Sequence, residues 1–239
     1  MSLLLRTHPD QMHTAVIPPC VPPAPEQSAT VENALLQALA GLAIVIVPGL
    51  DGSGPHHWQS RWELFLRQHG ITVHRVQQNN WARPTYQDWK AQLQRTVRTC
   101  HQPVILVAHS LGAVLSARMA SEQGLDGVVA AFLVAPADID HYHGPDSGRV
   151  AGFAPLPVTP LPFPAVLMAS QDDEWLSMPR AHALATQWQA TLVNAGTVGH
   201  IGNHAHVGLW PDGMLALDGL ARSLRLRATA PTGTTPHLS

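Results

Sequence analysis

Ser110, His200 and one of the adjacent pair Asp172 and Asp173 lie far apart in the chain but have the types that nucleophilic acyl chemistry requires. A serine hydroxyl is a poor nucleophile until a base removes its proton. An imidazole can do this near neutral pH and then return the proton to a leaving group. A carboxylate behind the imidazole holds the useful tautomer and stabilises the imidazolium once it forms. Ser110 sits in Ala108-His109-Ser110-Leu111-Gly112, after the apolar run 104–107 and before a helical pattern over 113–120. A serine between small residues at such a turn is a nucleophile elbow, which pushes the oxygen out above a sheet. Ala108 stands where glycine is usual, a mild departure that keeps the crowding low. Leu111 opens the helix, so its N–H points to where an oxyanion would form.

A second oxyanion donor is expected from the loop Pro48-Gly49-Leu50, with the Leu50 N–H first and Asp51 N–H as the alternative. A phosphate-binding loop is the rival reading of this stretch. It fails because no Gly-Lys-Ser/Thr follows, and Gly49, Gly52 and Gly54 do not have GxGxxG spacing. His200, His204 and His206 could be read as a metal cluster, but no carboxylate lies close in sequence, so no metal and no cofactor are expected. Singly, Asp172, Asp173 and His200 each read as ordinary loop residues. Their order and their places at successive strand ends carry the argument.

The elements that must hold these groups alternate in type. Continuous apolar runs at 43–47, 104–107, 127–134 and 165–169 read as strands buried on both faces, with shorter ones at 71–76 and 191–193. Between them, helical spacing places Trp58, Trp62 and Leu66 on one face, and Trp89, Leu93 and Val97 on another. Further helices are expected at 180–190 and 213–226. The fold class implied is α/β, a mostly parallel sheet with helices on both faces. In such sheets reactive groups collect beyond the carboxyl ends of the strands, where the Ser110, Asp172/Asp173 and His200 loops fall. Ser, then Asp, then His is the chain order of α/β-hydrolases. Prolines crowd 145–164, so residues 137–164 are expected to form a surface excursion that covers or borders the site.

Residues 1–40 read as a proline-rich, disordered arm, with 34–40 either a short helix or an apolar lead-in to the first strand, then a single domain over 41–227 and a disordered tail over 228–239. The charged fraction is 13%, against roughly 25% in typical chains, and the net charge is −2. With no Lys/Arg run, a nucleic-acid surface is not expected. Two cysteines without CxxC spacing, and no secretory leader pattern or spanning run, lead to the expectation of a cytoplasmic protein with no membrane contact.

With these residues in view, the chain resembles the small serine hydrolase family that includes retinoblastoma-binding protein 9 and similar bacterial proteins. The resemblance rests on Val47-Pro48-Gly49, the run His57-Trp58-Gln59-Ser60-Arg61-Trp62-Glu63, and Gln77-Gln78-Asn79-Asn80-Trp81 with Pro84 and Trp89. It extends to the elbow, the loop from Ser170 to Trp175, and Gly199-His200-Ile201-Gly202-Asn203 running on to Trp210-Pro211-Asp212-Gly213. It covers about residues 43–226. It implies a compact α/β-hydrolase with little or no lid, and it selects Asp173 as the triad acid beside Ser110 and His200. The function so implied is hydrolysis of small carboxylic esters or related acyl compounds through an acyl-serine. The alternative is a catalytically weak interaction module on the same fold. Trp58, Trp81 and Trp175, with Leu50 and Leu111, are expected as pocket walls.

Overall fold

β-Branched and other apolar side chains on consecutive positions can be buried only where both faces of a strand are covered, and the sheet is built that way. The computed structural model describes residues 15–16 and 25–229, with side chains from 29 to 227. In chain order the elements are β1 (Ala15–Val16), α1 (Pro25–Leu39), β2 (Ala43–Val47), α2 (Trp58–Gln68), β3 (Thr72–Arg75), α3 (Tyr86–Arg98), β4 (Val104–His109), α4 (Leu111–Ser121) and β5 (Val128–Val134). A short α5 (Ser147–Val150) follows, then β6 (Ala165–Ala169), α6 (Met178–Trp188), β7 (Thr191–Asn194) and α7 (Pro211–Thr229). The strands form one all-parallel sheet in the order β1-β7-β6-β5-β4-β2-β3.

Alternate strand residues feed two apolar layers. Val45, Val47, Leu106 and Ala108 face one side, where α3, α4 and α6 contribute Trp89, Leu115 and Trp188. Ile44, Ile46, Ile105 and Val107 face the other, against Leu39 of α1, Trp62 of α2 and Leu217 of α7. The six strands and the helices expected from apolar periodicity are all present, within a few residues of the expected bounds.

The arm differs from the expected disorder in two places, at Ala15–Val16, which pairs with Val193 and Asn194 of β7, and at its end. A helix begins at Pro25 rather than near Ala34, and Leu35, Ala38 and Leu39 are buried against α7. Proline density argued against order here, yet proline is well tolerated at the first helical position, where no intrahelical N–H bond is lost. Arg225 of α7 donates to the carbonyls of Gln37, Ala38 and Ala40, satisfying the end of α1. The expected disorder of residues 1–14, 17–24 and 230–239 lies outside the described residues. No helix among the described residues is long and apolar enough to cross a membrane.

Candidate active site

β4 ends at His109, and the chain turns into α4 through Ser110, which has φ 54° and ψ −123°. A non-glycine residue there is strained, and neighbouring glycines make room for the turn. A Cβ on Gly112 would come within 2.4 Å of both the Val47 and Pro48 carbonyl oxygens, and one on Gly49 within 2.7 Å of the Ser110 Cβ. The β2 loop therefore runs against the elbow with no space for a side chain at either contact.

The β6 and β7 loops meet the elbow from the other side. His200 Nε2 lies 2.7 Å from Ser110 Oγ, and His200 Nδ1 lies 2.8 and 3.0 Å from the two oxygens of Asp173. An ionised carboxylate can only accept, so Nδ1 carries the proton and Nε2 accepts from the serine hydroxyl. The Asp173 side chain is fully buried, and its Oδ1 also accepts from the Trp175 N–H at 2.8 Å.

Asp172, left open beside Asp173 by spacing alone, points elsewhere. Its Oδ1 accepts from the Ser170 hydroxyl at 2.7 Å and from the Gly199 N–H at 2.8 Å. The Ser170 hydroxyl first, and the Gly199 N–H next, hold its carboxyl below the usual range. One acid thus meets the ring of His200 while its neighbour fixes the backbone just before it.

A cavity of about 630 Å³ opens over Ser110, bordered by Leu50, Trp175, Gly202 and His204 among others. Of the expected tryptophan walls only Trp175 takes part. Its ring stacks 5.6 Å from that of His200, with Tyr142 behind it at 3.6 Å. Trp58 is corrected: it is 1% exposed, packs against Trp62 and Trp210, and donates from Nε1 to the Ile201 carbonyl at 2.8 Å. Trp81 borders a neighbouring groove beside Gly52 and packs edge-on against Trp89. The Leu111 side chain is buried in the core and does not border the cavity, whereas Leu50 does. His204 is at the rim. Among the described residues no three His, Cys, Asp or Glu side chains are arranged to hold a metal ion.

The 137–164 excursion borders the cavity through Asp146 and brings up Tyr142. Arg149 fastens it across the mouth, pairing with Asp51 at 2.5 Å and Asp146 at 2.9 Å and donating to the Trp81 and Ala82 carbonyls.

Three polar residues beneath the site escaped the sequence reading of function. Gln59 donates to the Val47 and Val107 carbonyls at 3.3 and 3.0 Å and accepts from the Ser53 hydroxyl, anchoring the β2 loop to the ends of β2 and β4. His57 caps α2 through Nδ1, is 1% exposed, and has no partner at Nε2. Burial, then Arg75 and His200, push its pKa down to about 3. His109 is also buried, and its pKa is lowered well below the ordinary value, chiefly by that burial. His57 and Gln59 belong to the His57–Glu63 run that carries the family resemblance, which was the available signal.

A parallel helix-covered sheet with Ser, Asp and His converging at its carboxyl edge is the α/β-hydrolase fold. The serine hydrolase family profile matches residues 44–219, and the chain belongs to that family. Among solved structures, a YdeN-like hydrolase from Pectobacterium atrosepticum is 32% identical with a TM-score of 0.70, covering 82% of this chain and 98% of its own. The ydeN gene product of B. subtilis is 20% identical with a TM-score of 0.58, covering 80% and 100%. Est1E from Butyrivibrio proteoclasticus, solved with ferulic acid bound, shares the fold at 15% identity and a TM-score of 0.58, covering 81% and 91%. Among curated proteins no sequence matches.

Proposed function

We propose that this serine hydrolase cleaves small carboxylic esters through an acyl-Ser110 intermediate, with His200 as base and acid and Asp173 as the orienting carboxylate. The observation that carries the reading is the continuous line from Asp173 through His200 to the Ser110 oxygen, with both links at hydrogen-bond distance. Ser110 Oγ attacks the ester carbonyl as its proton passes to His200 Nε2. The oxyanion forms against the Leu50 and Leu111 N–H groups, the donors expected beside the elbow. Collapse expels the alcohol, which takes the proton from His200. Water then attacks the acyl group, giving its proton to His200, and release of the carboxylic acid restores Ser110. A cavity of about 630 Å³ is within the usual range for small-molecule sites and suits a compact substrate. Trp175 is the apolar wall beside the base, and no cofactor enters any step.

The test is a fluorophosphonate probe, which forms an Oγ–P bond and releases fluoride, combined with turnover of p-nitrophenyl acetate and butyrate. A single adduct on the Ser110 peptide is expected, absent in Ser110→Ala. Asp173→Asn should lose roughly 10⁴ in kcat, since it no longer holds the Nδ1–H tautomer. Folded protein that takes up no probe would overturn the proposal.

A further inference from the structure

The geometry points to His109 as a positioning residue: its Nε2–H holds the His200 main chain, so that nucleophile and base keep their register before the Oγ–Nε2 bond forms. This rests on the triad reading above and adds to it a group that touches no reacting atom. The loop carrying His200 is pinned on four consecutive residues. The Val198 N–H donates to Ser170 Oγ at 2.9 Å, and the Gly199 N–H to Asp172 at 2.8 Å. The Ile201 carbonyl accepts from Trp58 Nε1 at 2.8 Å. Between them, the His200 carbonyl accepts from His109 Nε2 at 2.8 Å. The first two pins come from the β6 loop and the third from α2. Only His109 comes from the strand that presents the serine, and it is the residue directly before Ser110.

A carbonyl can only accept, so His109 Nε2 carries a proton in the assembled site. The ring has little freedom to leave this bond. It packs edge-on against His57, with centroids 4.9 Å apart, and lies 5.1 Å from the His200 ring. Gly202 lies alongside it, where a Cβ would make ordinary contact with His109 Cε1 at 3.6 Å. The residue itself is 6% exposed, so water does not compete well for the bond. The bond fixes where the His200 backbone stands relative to Ser110, Asp173 fixes the rotation of its ring, and together they define the position of Nε2. Misplacement by about 1 Å in such a unit costs on the order of 100-fold in rate.

Glutamine and asparagine separate this role from simple core packing. The amide nitrogen of glutamine lies about as far from Cα as histidine Nε2, and that of asparagine about as far as Nδ1. His109→Leu and His109→Asn are therefore expected to lower kcat for p-nitrophenyl butyrate by about 10- to 100-fold with KM changed less than about two-fold, and to slow fluorophosphonate labelling of Ser110 in proportion. His109→Gln should recover most of the rate. Hydrogen exchange of residues 196–206 should speed up in the leucine and asparagine variants and stay near the parent in the glutamine one. Equal rates and equal exchange in the glutamine and asparagine variants would overturn the proposal, as would full kcat in His109→Leu. If His109→Leu does not fold, the two amide variants decide. If the parent protein takes up no probe, the hydrolase reading falls, and the exchange of residues 196–206 still decides whether His109 holds the loop.

Discussion

His57 makes the fold sensitive to acid in a range where carboxylates have little effect. Its folded pKa is about 3 against an ordinary 6.5, because the ring is buried and faces Arg75 and His200. The unfolded chain therefore takes up a proton at this residue as pH falls through 6.5, while the folded chain does not. A histidine held neutral in this way contributes its full stabilisation above 6.5, and that contribution is lost progressively as pH drops toward 3. Between pH 7 and 5 the loss from His57 alone is about 2 kcal/mol. This figure depends little on the folded value: a pKa anywhere below about 4 gives nearly the same result, since only the unfolded state titrates in that window. His109, also lowered, acts in the same direction.

The measurement is urea unfolding at pH 7, 6 and 5, for the parent and for His57→Asn. Asparagine cannot titrate, but its carbonyl can still accept from the Gln59 N–H and cap α2. The asparagine variant is expected to be less stable at pH 7, through lost packing, and to lose about 2 kcal/mol less than the parent on going to pH 5. Parallel pH profiles for the two proteins would show that His57 titrates normally and that its burial carries no proton linkage.

Two further outcomes test the elbow. Ser110→Gly and Ser110→Ala both remove the hydroxyl and its bond to His200, but only glycine relaxes at φ 54°, ψ −123°. Ser110→Gly should be the more stable by about 1 kcal/mol, the balance of strain relief against glycine's extra chain entropy; equal thermal midpoints would contradict a strained turn. Gly112→Ala sets a methyl 2.4 Å from two main-chain carbonyls and should cost about 2–3 kcal/mol while displacing the Leu50 loop. Gly219→Ala, in α7 with no atom within 4 Å of the new Cβ, should be neutral or stabilising. Equal unfolding midpoints for the two alanine variants would mean that the β2 loop yields easily.

The sheet was legible because burial on both faces leaves a local signature. Ala43–Val47 and Val104–His109 are apolar at nearly every position, and runs of this kind have few other homes in a protein of this size. The approach of Ser110 to His200 was legible because an elbow is a local event and chain order does the rest. Pocket walls were not, because a tryptophan does not reveal which way it faces. For Trp58 the sequence did contain the answer: the stripe of Trp58, Trp62 and Leu66 that marks α2 as amphipathic also points Trp58 into the core, away from a cavity. Choosing Asp173 over Asp172 needed the family resemblance. The structure brings both acids to the same loop, one on the ring of His200 and one on its backbone, and no spacing rule distinguishes these two uses.

Three histidines packed in series raise a question of charge, since the proposed mechanism requires an imidazolium at only one of them. The His109 and His200 rings are 5.1 Å apart, and a second positive charge at that distance would oppose protonation of His200 by about 3 kcal/mol at an effective dielectric of 20. In the proposed mechanism that would slow acylation about a hundred-fold. Burial removes the conflict by holding His57 and His109 neutral, so they supply hydrogen bonds and packing without charge. Of the three, His200 alone has a carboxylate on its ring, the group that stabilises its protonated form. Asp173 thus singles out the ring of His200, while His57 and His109 lie deeper in the protein. Reading this required the fold, because histidine at 57, 109 and 200 is the same letter in the sequence.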